Sequence, residues 1–189
     1  MDTFILKTND YKTSKWSGGQ TTQILIYPKS STLENRDFTF RVSFATIDGG
    51  TSEFSDFTGY NRYLTTLGGE LSLDNGEGTR IVRPFETTFF DGGEKIISTS
   101  GPVTDFNLII KKGITGSLRS ESFKGEIGLR IFGGYNLIFI PEGNIRMTID
   151  GISRELEAFD TIVAFDEEMT LETIENKTTK IIIVEAEVD

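Results

Sequence analysis

The chain contains no histidine and no cysteine. Without histidine it lacks the usual general base near neutral pH, the Ser-His-Asp and Cys-His catalytic arrangements, and every imidazole metal site. Without cysteine it has no disulfide, no thiolate nucleophile and no zinc–thiolate cluster. Proline is scarce, at four of 189 residues, and there is one tryptophan. The longest aliphatic runs, such as "LIFI" and "IIIV", fall far short of the ~20 residues that span a bilayer. "MDTFILKTNDYK" has neither the basic nor the long apolar region of a signal peptide. A cytoplasmic protein is expected, with no membrane partner. The net charge of −10 would be repelled by a phosphate backbone, so no nucleic acid is expected either.

What is present is β-rich. Aromatics make up 11% and glycine 20 of 189 residues, against a usual ~7% for glycine. "FTFRVSFA" alternates, with Phe38, Phe40, Val42 and Phe44 on one face and Arg41 and Ser43 on the other. Many further short alternating runs follow, separated by "DGG", "DNG" and "DG" turn signals, and no long amphipathic helix is legible. The chain also echoes itself. "GELSLDNG" returns as "GNIRMTIDG", "PFETTFFDG" as "AFDTIVAFD" and "FNLII" as "IIIVE", each 74 or 75 residues on. A duplicated unit of that length suits a jelly-roll half rather than a solenoid repeat. The polar stretch 111–126, "KKGITGSLRSESFKGE", reads as the linker between the two.

Four stretches invite a functional reading. "KWSGGQTTQIL" sets the sole tryptophan, Trp16, before a Gly-Gly step and the polar residues Thr21 and Gln23. It is not a phosphate loop, since no Lys-Ser/Thr follows. "FRVSFA" carries Arg41 and Ser43 opposite an apolar face. "EFSDFTGYNR" reads as a loop, with Phe54, Ser55, Phe57 and Tyr60, aiming Arg62 into a barrel mouth. "TDFNLII" puts Asp105 and Asn107 on one side of a strand. Such polar residues either face water or line a cavity, where an arginine grips a carboxylate with two parallel hydrogen bonds.

In this order, these stretches resemble the HutD/Ves family of bicupin proteins. The matching residues are Trp16, Gly18, Gly19, Thr21 and Ile24, then Phe40, Arg41, Ser43, Ala45 and Ile47. Phe54, Ser55, Phe57, Gly59 and Arg62 follow, and last Asp105, Phe106 and Asn107. Gln23 stands where the family usually has Glu, and Thr58 where Pro is common. The resemblance implies an all-β chain of two cupin-like, RmlC-like jelly-roll barrels, residues 1–112 and 113–189. It also implies a small-molecule-binding regulator linked in some relatives to histidine utilisation. The expected ligand-binding residues are Trp16, Thr21, Gln23, Arg41, Ser43, Phe54, Ser55, Arg62, Asp105 and Asn107, converging on a carboxylate or amide metabolite. Formylated or imidazole-derived intermediates of histidine breakdown are the candidates by analogy. No metal and no cofactor are expected, and a homodimer is left open. Two other readings stand beside this one: a metal-independent isomerase or hydrolase using Asp105 or a glutamate as base, and a purely structural module.

Overall fold

The structure, a computed structural model, describes residues 2–175 and 177–188. Among them are nineteen strands, one 3-10 turn and no α-helix. No helix is long and apolar enough to cross a membrane. The strands form two compact units, Tyr11–Ile114 and a second made of Met1–Asp10 with Thr115–Asp189.

The first unit holds two antiparallel sheets. The six-stranded one runs β2 (Lys12–Trp16), β3 (Gly19–Tyr27), β4 (Phe40–Ile47), β11 (Val103–Lys111), β6 (Tyr60–Gly68), β9 (Thr88–Asp91). The four-stranded one runs β5 (Gly50–Glu53), β10 (Ile97–Ser100), β7 (Leu71–Asp74), β8 (Thr79–Val82). One core cluster joins them: Ala45, Ile47, Leu64 and Val103 from the larger sheet meet Leu71, Leu73 and Val82 from the smaller, with Ile96 and Phe90. A second cluster of Phe38, Phe57, Tyr60 and Ile109 closes the other end.

In the second unit, one sheet runs β1 (Phe4–Leu6), β17 (Thr161–Ala164), β14 (Tyr135–Phe139), β19 (Thr179–Ala186), β12 (Gly116–Phe123). The other runs β13 (Glu126–Arg130), β18 (Glu168–Thr173), β15 (Ile145–Ile149), β16 (Ile152–Leu156). Its interior is mostly aliphatic, with Ile138, Ile162, Ile181 and Ile183 against Met147, Leu156, Met169 and Leu171, and with Phe123 at its margin.

Strand order bears out the internal echo. The run β4-β11-β6-β9 has its counterpart in β12-β19-β14-β17, and β5-β10-β7-β8 in β13-β18-β15-β16. The segments around β9 and β17 therefore hold equivalent places. Backbone conformation repeats at the same offset: Phe85 (φ 66°) and Phe159 (φ 71°) are both left-handed, 74 residues apart (159 − 85), although a phenylalanine rarely adopts that region.

Two boundaries differ from the sequence reading. Residues 1–10, placed with the first barrel, belong to the second unit, because Phe4, Ile5 and Leu6 pair with Val163, Ile162 and Thr161 of β17. Lys7 Nζ then binds the buried Asp160 at 2.5 Å, and Ile5 packs on the aliphatic core. The stretch 111–126 is not a linker throughout, since Gly116–Phe123 is strand β12. As an edge strand it buries only Leu118 and Phe123 and keeps polar residues elsewhere, which makes it read as a loop.

The Lys7–Asp160 contact yields a prediction. Asp160 also accepts the Glu157 N–H at 2.8 Å, so Asp160→Ala removes a charged acceptor from both Lys7 and Glu157, at a cost of about 1.5–3 kcal/mol. Hydrogen exchange should show Phe4–Leu6 losing protection in this variant while β3, β4 and β11 keep theirs. Unchanged exchange at Phe4–Leu6 would show that strand pairing alone holds the segment.

Candidate functional site

The strand register builds one polar face on the inner side of the six-stranded sheet. Arg41, Ile109 and Arg62 are direct neighbours across β4, β11 and β6. Adjacent strands lie about 4.8 Å apart, so the two arginine backbones are about 10 Å from one another. The next row on this face is Gln23, Ser43 and Asn107, and the one after it Thr21, Ala45 and Asp105. Alternation thus hands the polar residues of four strands to the same side. On the opposite side Phe40, Val42, Phe106, Leu108 and Ile110 are also fully or almost fully buried. Arg41 and Ser43 are therefore not the wet face of a one-sided strand, and they are 6% and 3% exposed.

This face lines a cavity of about 440 Å³, within the usual range for small-molecule sites. Nine of the ten expected residues line it: Trp16, Thr21, Arg41, Ser43, Phe54, Ser55, Arg62, Asp105 and Asn107. Gln23 does not. Its Oε1 accepts a hydrogen bond from Arg41 Nε at 2.8 Å, so it stands behind the arginine and orients it. The register shifts between Gln23 and Leu25, a one-residue bulge that the strict alternation of "TTQILI" did not reveal. Beyond the bulge Ile26 turns to the cavity side and packs with Phe57 and Ile109. Arg62 comes from strand β6 rather than from the loop before it.

The two guanidiniums have uncharged partners. Arg41 donates to Gln23 and, through Nη1, to Ser43 Oγ at 2.9 Å. Arg62 donates to Asn107 Oδ1 from Nη2 at 3.1 Å and from Nε at 3.4 Å. Its guanidinium lies over Phe54 at 4.5 Å from the ring centroid, with Phe90 at 5.2 Å and Phe57 at 5.7 Å. These rings fix its plane and exclude water from one side. Among the described residues no carboxylate comes within ion-pair distance of either arginine. Burial lowers both side chains to about 10, partly offset by the charge of Asp105, and both stay cationic at neutral pH. Asp105 is 4% exposed and accepts the Ala45 N–H at 3.2 Å. Burial pushes its carboxyl up to about 6 against the pull of Arg62, the Ala45 N–H, Asn107 and Arg41.

The rim mixes aromatic and polar side chains. Trp16 folds back over Gly18, whose added Cβ would meet the indole ring at 2.3 Å. Its Nε1 donates to Thr21 Oγ1 at 3.2 Å. Leu33, Phe57, Ser14, Ser17, Ser52 and Glu53 also line the cavity and were not among the expected residues. Phe57 lay within a stretch already singled out, and Ser14 shares a strand face with Trp16. Nothing local marks Leu33.

A transition metal does not fit this donor set. The chain has no imidazole, and among the described residues no three His, Cys, Asp or Glu side chains could hold an ion. Two guanidiniums repel a cation and attract an anion.

Comparison with known proteins places the fold. A conserved protein of unknown function from Pseudomonas aeruginosa PAO1 is 24% identical over 100% of both chains, with a TM-score of 0.87. HutD from Pseudomonas fluorescens SBW25 is 22% identical over 98% of both, with a TM-score of 0.76. A cupin 2 conserved barrel domain protein from Leptotrichia buccalis is 12% identical over 97% of this chain and 96% of its own, with a TM-score of 0.64. No curated protein sequence matches the chain. The fold is all-β and cupin-like, each unit a jelly-roll-like sandwich. The HutD family model matches residues 8–182, and with nearly the whole length covered, the chain belongs to the HutD family.

Proposed function

We propose that the protein is a metal-independent binding protein for a small carboxylate- or amide-bearing metabolite, held in the cavity of the first unit. In this reading it is a cytoplasmic regulator of the HutD type connected with histidine utilisation. One observation carries the binding reading: two buried guanidiniums, neither with a carboxylate partner, face one cavity. Burying an unpaired charge is expensive, and an anionic ligand supplies the missing counter-charge through bidentate hydrogen bonds. Ser43, Asn107 and Thr21 provide further donors and acceptors for an amide.

The test is a thermal-shift screen with formylglutamate, formiminoglutamate, urocanate and simple dicarboxylates. A ligand at about 100 times its Kd stabilises the folded state by about 2.7 kcal/mol, which for a chain of this size raises Tm by roughly 5–10 °C. No stabilisation by any small carboxylate would overturn the reading. A second reading is favoured by Asp105, whose carboxyl at about 6 suits proton transfer near neutral pH. The protein would then be a metal-independent isomerase or hydrolase. Turnover of a stabilising ligand, lost in Asp105→Asn, would establish it.

A further inference from the structure

We infer that what the cavity takes is an anion together with one proton, the proton being held on Asp105. This rests on the carboxylate reading above and adds to it the charge state of the bound complex.

The geometry forces the coupling. Asp105 lines the same cavity as Arg41 and Arg62 and is almost wholly buried. It is not in ion-pair contact with either arginine, so their outward N–H groups are not already occupied by a carboxylate. An anion that reaches those groups therefore shares the cavity with the Asp105 carboxyl, within the electrostatic range of both arginines. Two carboxylates in one water-poor site do not both stay ionised: the like charge raises the pKa of one by one to several units.

The charged groups around Asp105 leave no other outcome. Strand β4 presents Arg41, and β6 presents Arg62. The own strand presents neutral Asn107, and β3 only Thr21. Across the cavity β5 contributes Glu53, an exposed carboxylate whose neighbour is Lys95 at 3.8 Å. With only the protein groups around it the Asp105 carboxyl already stands at about 6, raised by burial and held down chiefly by Arg62. An anion that neutralises the arginines removes that restraint, so the carboxyl rises further and binds its proton at neutral pH. The sign follows by linkage: anion affinity is highest below pH 6 and falls as the pH rises through the free and then the bound pKa. The chain has no histidine to titrate in the same range, so the background is clean.

The experiment uses formate, which is ionised throughout, and reads binding by the fluorescence of Trp16, the chain's single tryptophan at the cavity mouth. Wild-type affinity at pH 5.5 should exceed that at pH 7.5 by about tenfold, the effect of a pKa raised by one to two units on binding. Asp105→Asn keeps an acceptor for the Ala45 N–H and carries no charge. It should bind formate with the same affinity at both pH values, at least as tightly as the wild type does at pH 5.5. Independently of any variant, a pH-stat titration of the wild type at pH 6.5 should record more than about half a proton taken up per formate bound. Zero uptake, or equal wild-type affinity at both pH values, overturns the inference while leaving the carboxylate reading intact. A pH dependence that survives in Asp105→Asn overturns the assignment to Asp105. Absence of saturable binding in both proteins at both pH values removes the carboxylate reading and this inference together.

Discussion

Arg62→Ala abolishes the ligand-induced rise in Tm while the protein still folds. The wild type gains roughly 5–10 °C with a saturating small carboxylate, and the variant gains nothing measurable. The expected loss is large because this guanidinium is already desolvated and oriented. Phe54, Phe90 and Phe57 hold its plane, and Asn107 holds one edge. The ordering cost of an arginine is thus met before the ligand arrives, and its free edge is presented to the cavity. Removing it takes away the charge that chiefly offsets the burial of Asp105, so that carboxyl rises further and takes up a proton rather than staying ionised and unpaired. The change also leaves Asn107 Oδ1 without its donor, a loss of about 1–3 kcal/mol that a fold of this size tolerates. Arg62→Lys should keep only part of the shift, because an ammonium cannot make the paired hydrogen bonds. Equal ligand-induced shifts in wild type and Arg62→Ala would place the ligand elsewhere.

Gly19→Ala is the second change with a large expected effect, and it acts on both stability and binding. Gly19 begins β3 opposite Ile47 at φ 149°. A Cβ built there sits 2.0 Å from the Thr46 carbonyl oxygen, a backbone atom that can yield only if β3 and β4 part. With strain of about 1–3 kcal/mol for the backbone conformation alone, and the clash added, thermal unfolding should fall by roughly 5–10 °C. Thr21 lies two residues away and Trp16 pairs with Gly19 itself, so the cavity rim opens and ligand response goes with it. Gly18→Ala provides the contrast. Its Cβ would strike the Trp16 ring at 2.3 Å, but a half-exposed indole can swing aside. That variant should keep its Tm within a few degrees while its tryptophan emission shifts. If the two alanine variants melt alike, the close approach of Gly19 to Thr46 does not govern this rim.

These two glycines explain why "WSGG" is written as it is: one glycine gives the indole a place to lie, the other lets two backbones touch. Neither reason is visible in the sequence, where both look like a turn. Legible from the start were the features that depend on period-two alternation. Arg41 with Ser43 and Asp105 with Asn107 were recognisable as pairs because each shares a strand face. Their family-like order brought Trp16, Phe54 and Arg62 to the same cavity. What alternation cannot show is where it breaks. The bulge after Gln23 reversed the facing of Ile26, and the buttressing role of Gln23 depends on a side-chain hydrogen bond across strands. Long-range pairing is equally silent: three residues, Phe4–Leu6, carry no local sign that their partner lies more than 150 positions away. Strand β12 was hidden for the opposite reason, because an edge strand that stays soluble looks like a linker.

The partnership of β1 with β17 sets a timetable for synthesis. Leu6 leaves the ribosome some 155 residues before its register partner Thr161. At about 5–20 residues per second it waits on the order of ten seconds or more. During that interval Tyr11–Ile114 is complete and able to close, whereas the preceding segment has an unsatisfied strand edge and no place to dock. A fusion attached ahead of Phe4 travels with that waiting strand. The same fusion after Ala186 is attached to a strand whose neighbours β12 and β14 have both already emerged. Yield of folded protein should therefore depend on which end carries the tag, through the order in which the strands are made.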